Sequence, residues 1–180
     1  MRSWTGRTST SHYGLVIGDR VRQQLDQFCR SAGAIETGGI LIGHYTNDLS
    51  VATITEATPA PRDSRGGSSW FTRGVVELRE TLAVRWRASA RTHYVGEWHY
   101  HPVPHVVPSS VDFAQMVEIS RAERYKCREP LLVIFGSTVS VAGRPMRAFV
   151  CPAGGQPEEF LGIDSSPYQF GSAVVPPRRK

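Results

Sequence analysis

The sequence predicts a mixed α/β domain, with one twisted β-sheet and helices packed on it. Its 180 residues suffice for a single domain with short tails. Short apolar runs rich in β-branched and aromatic residues alternate with segments whose apolar residues recur at helical spacing, which indicates strands interleaved with helices. Seventeen glycines and twelve prolines favour many turns over a helical bundle.

The first third of the chain predicts a strand, a helix and a hairpin. Residues 12–17 form a short apolar strand. The helix that follows has apolar residues at i, i+4, i+7 and i+11 from Val21, and Gly33 suits its C-terminal cap. An apolar run over residues 36–45 and an alternating run over residues 49–57 then predict two strands joined by a short turn.

The remainder of the chain predicts two helices and four strands after a long loop. The loop covers residues 59–69, and loops of this length in compact domains are often functional. A helix over residues 73–90 precedes a strand over residues 94–101, and a Pro-rich turn leads to a third helix that begins near Ser109. The last predicted strands cover residues 131–135, 139–141 and 146–151.

The predicted folded domain spans residues 12–163. Residues 1–11 and 164–180 are polar or Pro-rich and are predicted to be flexible tails. No apolar run is long enough to cross a bilayer, and no apolar stretch follows the N-terminal arginines as it would in a secretory signal. We therefore expect a cytoplasmic protein that does not bind membranes.

The net charge of +5 belongs to the predicted tails rather than to the domain. When the five basic residues of the tails are set aside, sixteen basic residues remain against sixteen acidic ones, of which only Asp164 lies in a tail. A surface that follows a phosphate backbone needs cations clustered on a folded face. The predicted domain is close to neutral, so we expect no nucleic-acid partner. The five basic tail residues are Arg2, Arg7, Arg178, Arg179 and Lys180.

One arginine-rich segment remains as a candidate basic surface. Its arginines are interleaved with apolar residues that form a single stripe at helical spacing, which is typical of a solvated helix face. We therefore interpret the segment as the exposed side of the second helix. The arginines are Arg73, Arg79, Arg85, Arg87 and Arg91, and the apolar stripe is Val75, Leu78, Leu82 and Trp86.

The three cysteines do not indicate a disulfide framework or a cysteine-rich metal site. Cys29, Cys127 and Cys151 are odd in number, widely spaced and never paired as C-x-x-C. We predict that all three are small buried hydrophobic residues.

The segment Gly96-Glu-Trp-His-Tyr-His-Pro102 is the most specific part of the sequence. Side chains alternate along a strand, so His99 and His101 project from the same face and lie near enough to hold one metal ion. Such a pair is weak evidence alone, because two polar residues on an open sheet face give the same pattern. Glu97 shares that face as either a partner of His99 or a solvated or salt-bridged carboxylate, and we favour the latter.

Downstream residues complete a pattern that suits a hydrolytic zinc site. Such sites take three nitrogen or oxygen ligands and leave one position to water. Asp112 in the first turn of the third helix is placed to be the third ligand, and Glu36 beside two glycines is a candidate general base. Ser109 and Asp112 also match a capping box, which requires no metal.

The pattern of Glu36, His99-x-His101, seven residues and Ser109-x-x-Asp112 resembles the JAMM motif of the MPN-type zinc metalloproteases. The resemblance covers about residues 12–150, and every motif position is filled. It implies an MPN-like domain, a mixed twisted sheet flanked by helices, with one zinc ion per chain. It also implies that His99, His101 and Asp112 are zinc ligands, that Glu36 is the general base, and that Ser109 hydrogen-bonds the developing oxyanion.

Members of this family remove ubiquitin or ubiquitin-like proteins, so the resemblance implies an isopeptidase. The phrase Gly-Glu-Trp-His-x-His-Pro is similar to the small stand-alone bacterial branch, some of whose members sit in anti-phage operons of the CBASS type or related ones. The implied reaction is cleavage after the C-terminal glycine of a ubiquitin-like modifier, in deconjugation or in precursor processing. The implied partners are that modifier or its conjugate and E1-like and E2-like enzymes of the same operon.

Two other functions stay open from the sequence. One is a non-catalytic MPN-type protein-binding module, although such modules tend to lose ligands and this motif is complete. The other is a zinc amidohydrolase that acts on a small or sulfur-carrier substrate.

The long loop is the predicted substrate-binding element. An isopeptidase must present the extended tail of a modifier to its metal, and pairing that tail as an added strand satisfies its backbone groups. The segment from Thr58 to Arg73 is the candidate clamp, with Gly66 and Gly67 as hinges and Trp70 and Phe71 as anchors. A surface loop that merely tucks its two aromatic residues into the core is the alternative.

Overall fold

The computed structural model describes residues 3–140 and 143–162. It contains ten strands, three α-helices and one short 3₁₀ helix within those ranges. The strands are β1 (Ser3–Thr8), β2 (Gly14–Gly18), β3 (Thr37–Tyr45), β4 (Val51–Ala57), β5 (Arg65–Gly66), β6 (Phe71–Thr72), β7 (His93–Tyr100), β8 (Leu131–Phe135), β9 (Met146–Val150) and β10 (Glu158–Gly162). The α-helices are α1 (Asp19–Ala32), α2 (Leu78–Arg87) and α3 (Ser110–Arg121), and the 3₁₀ helix is Glu123–Tyr125.

Eight of the strands form one mixed sheet that closes on itself. Their order is β1-β10-β9-β8-β7-β3-β4-β2, and β2 pairs with β1 to complete the barrel. The β2–β4 and β7–β8 pairs are parallel and the other pairs are antiparallel. The mixed sheet was predicted. The prediction of a twisted sheet flanked by helices is corrected to a closed barrel, because closure depends on a strand in the segment that was predicted to be a tail.

That strand is β1, so the prediction of a flexible tail over residues 1–11 is wrong for Ser3–Thr8. β1 pairs with β2 on one side and with β10 on the other. The Trp4 ring packs against the core, and a Cβ on Gly6 would lie 2.5 Å from the Trp4 ring, so glycine makes room for it. The predicted tail over residues 164–180 lies outside the described residues.

Alternate side chains of the barrel strands enter two separate clusters of buried residues. One cluster contains Leu41 and Trp98 and packs against α1, whereas the other contains Ile40 and Leu132 and packs against α2 and α3. Gly96 shifts this alternation within β7. The β3–β7 register slips beside it, and a Cβ there would lie 2.1 Å from the carbonyl oxygen of Leu131. After the slip, odd-numbered residues of β7 face α3.

The second helix is shorter than predicted, and its arginine-rich segment is not one solvated face. α2 begins at Leu78 rather than near Arg73. Leu78 and Leu82 pack against the core, but Val75 and Trp86 of the predicted stripe are exposed. Arg73 lies before the helix, and its side chain is buried in an ion pair. The residue before the helix, Glu77, has a φ of 68°, and the amides of Val75 and Val76 donate to the Asp63 carboxylate instead of continuing the helix.

Two further predicted segments differ from the structure. The predicted loop over residues 59–69 contains β5, which pairs with β6 in a small hairpin outside the barrel. The predicted strand over residues 139–141 is reduced to a single bridge between Ser140 and Gly143, and Val141 lies outside the described residues. Among the helices of the described residues, none has the length and apolar character to cross a membrane.

The three cysteines are buried and free, as predicted. Burial raises the pKa of each thiol to about 12. We therefore expect no reaction of the native protein with Ellman's reagent over minutes, and three reactive thiols after unfolding. A thiol that reacts rapidly in the folded protein, or loss of activity with iodoacetamide, would contradict this and would reopen cysteine-based chemistry.

Candidate metal centre and active site

Strand β7 and the first turn of α3 bring together the three side chains predicted to be metal ligands. One ligand atom each from His99, His101 and Asp112 lies within 4.8 Å of the other two. His99 and Asp112 are buried, and the His101 side chain is 12% exposed. The β7–β8 pairing continues past the end of β7, since the amide of His101 donates to Phe135 O at 2.9 Å. The backbone therefore stays extended through His101, and the side chains of His99 and His101 project from the same face of the sheet.

The imidazole of His99 lies between two carboxylates. Its Nδ1 is 2.7 Å from Asp112 Oδ1, and its Nε2 is 3.7 Å from Glu97 Oε2. Burial lowers the pKa of His99, but hydrogen bonding and charge from Asp112 and Glu97 outweigh it and raise that pKa to about 9. In turn, burial raises the pKa of Asp112, but His99 and Ser109 lower it to about 2. A positive charge, either on a protonated His99 or on a metal ion in its place, is thus favoured between these two carboxylates.

Asp112 takes part in the capping box and in the candidate centre at once. Its Oδ2 accepts from the Ser109 amide at 2.6 Å and from Ser109 Oγ at 2.7 Å, and its own amide donates to Ser109 Oγ at 3.1 Å. Its Oδ1 faces His99 instead. The two interpretations of this tetrapeptide are therefore compatible, because each uses a different carboxylate oxygen.

Glu36 immediately precedes β3 and lies at the same end of the sheet. Thr37 pairs with Tyr100 and Gly38 pairs with His99, so the register sets Glu36 beside His101. Burial raises the pKa of Glu36, while the charge of His101 lowers it and that of Asp112 raises it. A half-buried carboxyl whose pKa is raised is a stronger base than a fully solvated one and is suited to accept a proton from water.

The hairpin of β5 and β6 packs against this end of the sheet. The Phe71 ring meets the His99 ring edge-on, with centroids 6.0 Å apart. Gly67 O accepts from the Glu36 amide at 2.7 Å, and a Cβ on Gly66 would lie 2.5 Å from Glu36 O. Trp70 at the turn is 53% exposed. Of the four residues predicted to bind substrate, three therefore lie against the candidate site and Trp70 projects towards solvent.

Two charged residues beside the site form a buried ion pair. Glu97 was predicted to be solvated or salt-bridged, and it is salt-bridged and fully buried, because Arg73 Nη2 donates to its Oε1 at 2.7 Å. Arg73 was predicted to lie on a solvated helix face, and that prediction is wrong. Burial raises the pKa of Glu97, but His99 and Arg73 outweigh it and lower that pKa. The sequence signal was the position of Glu97, two residues before His99 on the same face. Trp98 and Tyr100 lie in the core on the opposite face, as predicted.

The residues present fit a zinc ion. Two imidazoles and one carboxylate are the donor types that hydrolytic zinc sites use. The Nδ1 of His99 lies on the Asp112 side of the ring, 2.7 Å from Asp112 Oδ1, so this nitrogen is the one that faces the cluster. The three side chains could therefore hold a metal ion through that nitrogen, His101 and Asp112.

The Asp112→Asn substitution separates the two roles of Asp112. The amide oxygen can still accept the capping hydrogen bonds, so we expect a stability loss of about 1 kcal/mol or less. The loss of charge should weaken zinc binding strongly, as measured by metal analysis after dialysis. Ser109→Ala is the matched control, since it removes the cap and leaves the carboxylate, and it should retain zinc. A zinc-replete Asp112→Asn protein would mean that Asp112 is only a cap.

Comparison with known proteins places this arrangement in a family. Residues 19–151 match the family described as prokaryotic homologs of the JAB domain. The chain belongs to the prokaryotic JAB-domain family. The JAMM resemblance predicted from the motif is thereby confirmed, and the matched range contains Glu36, His99, His101, Ser109 and Asp112.

Two relatives of this prokaryotic JAB domain are described as a "CD-NTase/cGAS isopeptidase". The one from Enterobacter hormaechei subsp. hoffmannii is 42% identical over 145 residues, which cover 81% of this chain and 79% of the relative. The one from Pseudomonas aeruginosa is 30% identical over 141 residues, which cover 76% and 84%. A protein of Desulfitobacterium hafniense solved in solution shares the fold, with a TM-score of 0.52 at 17% identity over 79% of this chain and 87% of that one.

Proposed function

We propose that the protein is a zinc-dependent isopeptidase that cleaves after the C-terminal glycine of a ubiquitin-like modifier. The observation behind the proposal is the convergence of His99, His101 and Asp112 beside Glu36 in a chain whose relatives are described as isopeptidases. The name of those relatives supports a modified CD-NTase as the conjugate. A bacterial antiviral pathway with E1-like and E2-like enzymes is part of the proposal and follows from the resemblance to the bacterial JAMM branch.

The chemistry divides between the metal and the side chains around it. Zinc held by His99, His101 and Asp112 would lower the pKa of a water molecule to about 7 and polarise the scissile carbonyl. Glu36 accepts the proton of the attacking water and passes it to the leaving lysine nitrogen. The lysine therefore leaves as a neutral amine rather than as an amide anion. No covalent intermediate with the protein is required.

Ser109 supplies the hydrogen bond to the developing oxyanion. In the structure its hydroxyl donates to Asp112 Oδ2, and the residue is exposed at the N-terminus of α3. The Ser109 hydroxyl can turn towards a substrate carbonyl without moving the helix, because the amide of Ser109 also donates to Asp112 Oδ2. Loss of one such donor typically lowers the rate about 10²–10³-fold.

The hairpin over Thr58 to Arg73 is the proposed clamp for the tail of the modifier. β5 and β6 pair only with each other within the described residues, so the hairpin retains a free strand edge. An extended tail added to that edge would satisfy its own backbone groups and run towards Glu36, whose amide is already bonded to Gly67 O. Because the Phe71 ring packs edge-on against His99, we expect small residues beside the cleaved bond to be preferred.

The proposed function is tested with a ubiquitin-like domain whose terminal glycine is joined to a CD-NTase through a lysine. We expect release of the intact domain, with a new mass at its terminal glycine and with inhibition by a chelator. A linear fusion after the same glycine measures precursor processing, and the free tail peptide should be cleaved poorly. Zinc binding without cleavage of any conjugate would favour a binding module, and equal rates on the free peptide would favour a small-substrate amidohydrolase.

Trp70→Ala tests the hairpin as a clamp. Because the Trp70 ring is exposed, its removal should change the melting temperature little but raise KM about tenfold if the ring contacts the modifier. Trp86→Ala is the matched control, since Trp86 is 56% exposed and contacts His93 at the other end of β7, about 20 Å from His99. Equal KM values for both variants would remove Trp70 from the clamp.

A further inference from the structure

Glu97 is a buried carboxylate for which the proposed reaction has no use. It lies on β7 two residues before His99, on the same face, and none of its surface is exposed. A fully buried carboxylate is rare unless its oxygens are paired. Its Oε1 accepts from Arg73 at 2.7 Å and from Tyr94 Oη at 3.3 Å, and its Oε2 accepts from Gln115 Nε2 at 3.0 Å.

The partner of Glu97 comes from the hairpin rather than from the barrel. Arg73 directly follows β6, its side chain is 7% exposed, and its Nη1 donates to Gly74 O at 2.9 Å. The Gly74 amide in turn donates to Ser64 Oγ at 2.9 Å, which joins the two stems of the hairpin. The buried ion pair therefore fastens the base of the hairpin to the strand that carries His99 and His101.

The ion pair also reaches the His99 ring. Glu97 Oε2 lies 3.7 Å from His99 Nε2, on the side of the ring away from Asp112. Phe71, two residues before Arg73, meets the same ring edge-on. Carboxylates behind a metal-binding histidine fix its ring orientation and tautomer, and their loss typically weakens metal binding 10–100-fold.

We propose that Arg73 and Glu97 form a positioning pair that couples the hairpin over Thr58 to Arg73 to the zinc ligand His99. We call the hairpin closed when Arg73 is paired with Glu97, as it is in the structure. In that state Arg73 fixes the Glu97 carboxylate, and the fixed carboxylate orients the His99 ring. By reciprocity, zinc on the ligands should stabilise the closed hairpin by the same factor as the closed hairpin stabilises zinc binding. The inference rests on the proposed zinc site.

The test compares two double variants with the wild-type protein. Removing one member of a buried pair leaves an unpaired charge and risks unfolding, so both are replaced in Arg73→Met with Glu97→Gln. The control is Arg85→Met with Glu56→Gln, which removes a two-pronged ion pair of 2.5 and 2.8 Å that joins α2 to β4 away from the site. Circular dichroism verifies that each protein is folded.

Three readouts are taken: zinc affinity by competition with a chelating dye, hydrogen exchange of residues 58–74 with and without zinc, and the visible spectrum of the cobalt-loaded protein. We expect the Arg73/Glu97 variant to bind zinc at least tenfold more weakly and to show an altered cobalt spectrum. In the wild type and the control, zinc should slow hairpin exchange about tenfold, and in the Arg73/Glu97 variant this response should be lost.

The outcomes separate the inference from the proposed function. A wild-type protein that binds no zinc would overturn both. Zinc binding by the wild type together with unchanged affinity, cobalt spectrum and hairpin response in the Arg73/Glu97 variant would overturn the coupling alone. A lower melting temperature with all three readouts unchanged would likewise show that the pair is only structural.

Discussion

Glu36→Gln should lower turnover by roughly 10²-fold or more while the protein keeps its zinc. The amide preserves the shape of the side chain and its place beside His101, but it cannot accept a proton from water. Because Glu36 is not one of the three clustered ligands, metal content should not change. The measurement is steady-state hydrolysis of the conjugate together with metal analysis of the same sample.

Glu129→Gln is the matched control for this substitution. Glu129 is another half-buried carboxyl whose pKa is raised by burial, and it lies beside β8 rather than at the site. Its variant should keep wild-type turnover. Full activity of Glu36→Gln would remove Glu36 as the base. Glu97 would not replace it, because its oxygens are buried and already accept from Arg73, Tyr94 and Gln115.

The double substitution His99→Ala with His101→Ala should abolish both zinc binding and hydrolysis. It removes two of the three ligand atoms that lie within 4.8 Å of one another, and one carboxylate cannot hold zinc at a site of this kind. His12→Ala with His44→Ala is the control, since both histidines are exposed and outside the cluster. Zinc retained at full occupancy in the His99/His101 variant would mean that the metal binds elsewhere in the protein.

Local patterns predicted most of the candidate site. The spacing of His99 and His101 on a strand and of Ser109 and Asp112 at a helix start follow from backbone periodicity, which a sequence displays directly. Glu36 lies far upstream, and the residues alone offered it only as a candidate beside two glycines. The family motif assigned it a role, and the β3–β7 register shows how the chain sets it beside His101.

The features that were missed depend on contacts between distant segments. Ser3–Thr8 is polar and short, and it forms a strand because β2 and β10 pair with it on either side. The burial of Arg73 depends on Glu97, 24 positions away, and a list of charges does not say which of them pair. In both cases the local sequence pattern predicts a solvent-exposed segment, and tertiary contacts override that prediction.

The central claim is that His99, His101 and Asp112 hold the zinc ion that the reaction needs. Anomalous X-ray diffraction from crystals of the active protein, recorded on both sides of the zinc absorption edge, tests it most directly. We expect a single strong peak among these three side chains, present above the edge and absent below it. A peak at another place in the chain, or a fully active protein with no zinc peak, would contradict the claim.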